Sequence, residues 1–314
     1  MSEFRTDLAL EAHELYKKEK EFIEGVEVSS YRKKGVTVTE IRVTDENGER
    51  AIGKPKGSYV TLEIPDLLYS SEDYECACYV LADELRKMYP VHDDTSVLAA
   101  CLGNEDITAD SLGVKVFKNL MVTRHMKKYI PEHIDESIRS VSAVAPGVIG
   151  TTGIETADII KGIAAKVKPD VIFAVDALAA RSVDRISTTI QIADTGIAPG
   201  AGIGNFTASL DEDTLGVKVI AIGVPTVVDA VTIVNDSIDI MAECTHAADS
   251  LAGIDAGERK KMIEKSISRN IASLVVTPKE IDRITQKVSK TIANGINLAV
   301  HSNLSIEDID GYIN

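Results

Sequence analysis

The sequence predicts an α/β protein: a mainly parallel sheet flanked by helices, with a small additional β element at about residues 30–66. Three observations predict it. Apolar runs of strand length alternate with runs of helix length from Val97 to Val175, the pattern of βαβ units. Two apolar runs, Val171–Val175 and Ile186–Ile192, each end on a carboxylate, Asp176 and Asp194. A glycine-rich loop, Gly200-Ala201-Gly202-Ile203-Gly204, follows the second run. Ligands of open α/β sheets bind beyond the carboxyl ends of strands, so a site is expected along Pro169–Asn205.

Taken in order, Arg5–Lys20 reads as a helix with Thr6 or Asp7 at its N-cap. Val36–Val43 alternates strictly and precedes Asn47-Gly48, which predicts a strand and a hairpin turn, with Tyr59–Ile64 as partner strand. Glu72–Tyr89 has helical periodicity and is closed by Pro90. Val97–Cys101 is a buried strand leading into Gly103-Asn104 and an acidic loop that carries Asp110. Asp110 is a favoured N-cap residue and a strand-end acid, two roles that do not exclude each other. Ser140–Ala145 is a strand, Glu155–Val167 a helix, and Val217–Gly223 a strand after which Pro225 marks the turn into an apolar helix. Lys260–Leu274 and Thr277–Ala293 read as helices, the latter opened by a capping box in Thr277-Pro278-Lys279-Glu280. With no internal repeat or low-complexity linker, residues 1–314 are expected to form one domain.

A chain with 44% hydrophobic and 26% charged residues can bury a core. Its net charge of −15 argues against a nucleic-acid surface, which would need basic patches. No apolar run approaches membrane-spanning length and no signal-peptide pattern opens the chain, so a cytoplasmic protein is expected. Cys76, Cys78, Cys101 and Cys244 are expected to be reduced thiols.

Three motifs bear on chemistry. Asp194-Thr195-Gly196 is the triplet of pepsin-like proteases, but those are mostly β and need two triplets. Here Asp194 is expected to fix its loop. The glycine stretch is G-x-G-x-G with no basic neighbour, unlike a dinucleotide fingerprint. Gly202 and its neighbours are expected to let an extended peptide approach closely. The six histidines show no metal-type spacing and no G-x-S-x-G occurs. No metal or cofactor is expected, and two strand-end aspartates remain for acid–base work.

The blocks Arg5-Thr6-Asp7-Leu8-Ala9, Gly150–Thr156, Val175–Ser182, Thr188–Gly196 and Ala221–Thr232 resemble the germination proteases of spore-forming bacteria, nearly from end to end. The resemblance implies an endopeptidase that degrades small acid-soluble spore proteins and cuts after Glu. It also implies a homotetramer made as a zymogen, working in the spore core with no direct nucleic-acid or membrane partner. The implied fold is similar to that of hydrogenase maturation endopeptidases. The implied pair of catalytic carboxylates is Asp110 and Asp176, with Asn104, Glu155, Arg181, Asp194 and Gly202 supporting or binding substrate. Glu105 and Asp106 are expected to raise the pKa of Asp110 by like-charge repulsion. Glu3-Phe4 resembles a cleavage sequence, so a minimal pro-segment or none is expected. Two other readings stay open: a metal-dependent peptidase of the same fold, and a non-catalytic peptide-binding protein.

Overall fold

The computed structural model describes residues 6–19, 23–65, 67, 69–186, 188–199, 208–244, 262, 274–301 and 303–313. Helix α1 (Ala9–Glu19) precedes a hairpin of β1 (Val26–Lys33) and β2 (Val36–Val43). The hairpin turns at Lys34-Gly35, both at positive φ (48° and 82°), as a two-residue type I′ loop requires. The sequence pattern puts a hairpin turn at Asn47-Gly48 instead, and there it is overturned. Asp45 caps a helix, α2 (Glu46–Ile52), by accepting the N–H groups of Asn47 (2.8 Å) and Gly48 (3.0 Å). Strand β3 (Gly57–Glu63) still pairs antiparallel with β2, as expected.

The chain continues through α3 (Ser71–Met88), β4 (Ser96–Cys101), α4 (Leu112–Phe117), α5 (Arg124–Tyr129) and β5 (Ser140–Val144). Next come α6 (Ile149–Thr152), α7 (Thr156–Val167), β6 (Val171–Ala180), β7 (Thr189–Ala193), α8 (Glu212–Leu215), β8 (Lys218–Asp229) and α9 (Ala230–Cys244). The short β9 (Val275–Val276), α10 (Ile281–Val300) and α11 (Ile306–Ile313) complete the described elements. The expected helix Lys260–Leu274 and the Gly200–Gly204 loop, with Gly202, lie outside the described residues.

The described strands form one nine-stranded sheet in the order β1-β2-β3-β7-β8-β6-β4-β5, with β9 paired to β8. Strands β5, β4, β6 and β8 run parallel, and β7, β3, β2 and β1 extend the sheet antiparallel. The expected β excursion is therefore an extension of the main sheet. Helices α3, α4 and α10 cover one face, where Leu81, Leu85, Phe173, Val175, Ile292 and Ile296 meet. Helix α7 covers part of the other through Ala157, Ile160 and Ala164.

Three boundaries differ from expectation in ways that matter for the site. Strand β6 does not stop at Val175: it runs on through Ala180 because β8 is longer still and keeps pairing it. Asp176 thus lies within a strand. Pro225 does not end β8, because the ladder bulges there: Leu178 faces Pro225, and Ala179 faces Val227. A bulge is one of the few places a sheet accepts proline. The capping box before α10 does not form, since Thr277 Oγ1 donates to Thr226 O (2.8 Å) and the helix starts beyond Glu280 without a side-chain cap.

Candidate active site

Strand alternation sets the environment of Asp176. Its side chain falls on the face of Ile172 and Ala174, packed with α7, and of Leu178 and Ala180, packed with Leu8, Ile186 and Val228. The carboxylate therefore sits between two apolar clusters and is 4% exposed. Its Oδ1 accepts the N–H of Ala177 (2.9 Å).

Asp110 arrives from the neighbouring strand. The Leu102 N–H donates to Val175 O (2.8 Å), so β4 releases the chain directly beside Asp176. Gly103 then turns the loop at φ +111°, where a Cβ would lie 2.0 Å from the Asp110 carbonyl oxygen. That space is used: the Asn104 N–H donates to Asp110 O (3.1 Å), and Asn104 Oδ1 accepts the Asp106 N–H (3.0 Å). The 3₁₀ turn Thr108–Asp110 packs on β6, β8 and α10. Asp110 does not act as a helix cap. Ser111 occupies the N-cap of α4, and no side-chain cap bond is made.

Burial pushes Asp110 up to about 6, against a smaller opposing effect of the Asn104 N–H. The expected repulsion from Glu105 and Asp106 is not the cause: both are exposed, and Glu105 pairs with Lys118. Asp176 is raised well above the usual carboxylate range, first by burial and then by the charge of Asp110; the Ala177 N–H opposes this and Asp7 adds to it. The two groups therefore lose protons in order. Asp110 ionises first, and its charge then holds the proton on Asp176.

Asp7 is a third carboxylate near the pair, where the sequence suggests only a helix cap. It extends the ladder of β6: its N–H donates to Ala179 O (3.0 Å), and its Oδ2 accepts the Ala179 N–H (2.8 Å). Burial raises its pKa, while Lys54 pulls it down. The Lys54 Nζ donates to the carbonyls of Thr6 (3.1 Å) and Asp7 (3.0 Å). Buried Glu11 anchors the same segment by accepting the N–H groups of Arg181 (2.7 Å) and Ser182 (2.8 Å). The only signal for Asp7 in the sequence is its place in the block Arg5–Ala9.

Arg181 and Asp194 are held by partners of their own. Arg181 is ion-paired with Asp236 of α9 (2.6 Å). Asp194 ties β7 to β3: its Oδ1 accepts the Ser58 N–H (2.8 Å), and its own N–H donates to Ser58 O (3.2 Å). Glu155 precedes α7 and makes no capping bond with its side chain. Among the described residues, no three His, Cys, Asp or Glu side chains gather in a metal-ligating group.

Residues 5–249 and 247–313 match the family described as germination protease. The chain belongs to the germination protease family. It is 47% identical over 320 residues to a germination protease of Clostridium tetani, covering 99% of each chain. A germination protease of Clostridium acetobutylicum is 48% identical over 327 residues, with both chains fully covered, and one of Bacillus mycoides is 40% identical over 354. As a germination protease the chain is a peptidase with a role in spores. A NiFe hydrogenase maturation protease of Thermococcus kodakarensis aligns with 68% of this chain and 98% of its own, at 16% identity and a TM-score of 0.35. Among the described residues, no helix is long and apolar enough to cross a membrane.

Proposed function

We propose that this germination protease is an endopeptidase that activates water with Asp110 and Asp176. One observation carries the reading: a half-buried carboxylate, Asp110, that ionises near pH 6 acts on a buried one, Asp176, that keeps its proton well above the usual range. Once Asp110 has ionised, and while its charge and burial keep the proton on Asp176, the pair holds one carboxylate and one carboxylic acid. Asp110 takes a proton from water as the oxygen attacks the scissile carbonyl, and Asp176 gives its proton to the carbonyl oxygen. Collapse of the tetrahedral intermediate then passes the proton held by Asp110 to the leaving amine, while a hydroxyl of the intermediate returns its proton to Asp176.

The substrates we assign are small acid-soluble spore proteins, cut after Glu in the spore core. The chain acts as one domain and assembles as a homotetramer made in zymogen form. These assignments follow the family and the matching blocks of sequence. Asn104 keeps Asp110 in place through the loop backbone.

The test is cleavage of a peptide containing Glu-Phe by wild type, Asp110→Asn and Asp176→Asn, each checked for native circular dichroism. Each substitution should lower kcat by about 10²–10⁴-fold. The wild-type kcat/KM should rise through an acidic limb near pH 6, as Asp110 ionises. Wild-type rates in both variants would exclude the aspartate pair. Loss of activity on chelation, with recovery on adding a divalent ion, would favour the metal-dependent reading.

A further inference from the structure

The sheet ends on one side in β1, and six of its eight residues, Glu27–Arg32, are exposed. The Thr44 N–H donates to Gly25 O (2.9 Å), next to the register pair Val26↔Val43. Bonded and non-bonded pairs alternate along an antiparallel ladder. Odd-numbered residues of β1 therefore bond β2, and Val28, Ser30 and Arg32 turn their N–H and C=O groups to the open edge. Natural edges are blunted by a central lysine, a proline or a bulge. The centre of β1, Val28-Ser29-Ser30-Tyr31, has none of these, and Val28 and Tyr31 are 44% and 38% exposed.

We propose that β1 pairs antiparallel with β1 of a second copy of this chain, with Ser30 facing itself across the twofold axis. Residues that bond across the axis must share parity, which leaves few registers. With Ser30 on the axis, Val28 faces Arg32 of the partner subunit, Ser29 faces Tyr31 of the partner subunit, and Glu27 faces Lys33 of the partner subunit. The last is an opposite-charge pair, made twice by symmetry. Lys33 already pairs with Asp83 of α3 (2.8 Å), which holds its ammonium at the end of the strand. Moving the axis to Ser29 sets Glu27 opposite Tyr31 of the partner subunit and loses the directly facing charge pair. It would also call on the Val26 N–H, already donated to Ile23 O (3.3 Å). Charge favours this edge too: the chain carries −15, yet β1 has one acid, Glu27, against Arg32 and Lys33. The inference rests on the fold and not on the aspartate pair; the proposed homotetramer needs a second, different interface.

Sedimentation velocity of the full chain across a concentration series tests it. Ser30→Pro removes an outward N–H at an edge position, where proline is tolerated in the monomer. Glu27→Lys sets lysine opposite lysine, and Glu27→Lys with Lys33→Glu restores opposite signs. Both single variants should dissociate at least about tenfold more readily, with unchanged circular dichroism, and the double variant should recover association. A wild type that stays monomeric, or single variants that associate as wild type does, overturns the pairing. Hydrogen exchange at Val28, Ser30 and Arg32 should be protected only where the chain associates. Protection independent of concentration would assign the edge to another strand and also overturn it.

Discussion

Asp176 is costly to ionise because alternation along β6 places it between apolar clusters while Asp110 supplies a like charge. The folded-state pKa lies above the unfolded value of 3.8, so the stability this group permits is complete below about pH 4. That stability is lost as pH rises through the folded value. Asp176→Asn should therefore melt above wild type at pH 8, and the gap should close near pH 4; a gap independent of pH would contradict the burial argument. Asp110 contributes in the same direction, and its rise from 3.8 to about 6 corresponds to on the order of 3 kcal/mol. Gly103 sets where Asp110 can sit. Gly103→Ala meets both an unfavourable φ and the Asp110 carbonyl, so it should lose most peptidase activity and a few kcal/mol of stability. Unfolding in urea and the initial rate measure the two losses.

At the scale of elements, the site depends on two long neighbouring strands and one short loop. Strands β6 and β8 pair over ten residues of β6, from Val171 to Ala180, which carries Asp176 within the sheet and leaves Ala179 to receive Asp7. The β4 loop delivers Asp110 onto β6 and β8. Within the antiparallel part of the sheet, β7 is fastened to β3 by Asp194, which occupies the backbone of Ser58 in both directions. Asp194→Ala leaves a half-buried N–H without its acceptor and should cost about 1–3 kcal/mol, read from the urea midpoint. The acidic limb near pH 6 should not move, because the Asp194 carboxylate is engaged by Ser58 and is not among the charges that shift Asp110 or Asp176. A displaced limb would instead place Asp194 in the site.

Across the whole molecule, buried ionisable groups pull the pH dependence of stability in opposite directions. His301 is fully buried, and its Nδ1 accepts the Arg139 N–H (3.1 Å). Burial lowers its pKa to about 4, with Arg139 and Lys127 adding to the effect and the Met121 carbonyl opposing it. The unfolded chain takes up this proton near pH 6.5, whereas the folded one refuses it until about 4. Stability is thus complete above 6.5 and is lost as pH falls through 4. His301→Gln should be less stable than wild type at pH 7 and should lose less stability between pH 6.5 and 4. An unchanged slope in urea midpoint against pH would refute this. The aspartate pair acts oppositely over an overlapping window, so between about pH 4 and 6.5 the two effects partly offset each other.

The α/β class, the positions of β2, β3, β4, β5 and α7, and the candidacy of Asp110 and Asp176 were legible in the sequence. Each depends on local periodicity or on a chain block that stands by itself. The meeting of Asp110 with Asp176, the arrival of Asp7 beside them, and the tying of Arg181 to Asp236 and of Asp194 to Ser58 were decided by tertiary structure. Local pattern cannot show that β6 runs past Asp176, because its partner β8 keeps the strand extended, nor that a bulge admits Pro225. The same holds for Asn47-Gly48, whose turn signal yields to a helix capped by Asp45. A carboxylate's identity is written in the chain, but its proton is held by burial and by the charge of a residue in the loop after another strand, and both exist only once the sheet has formed.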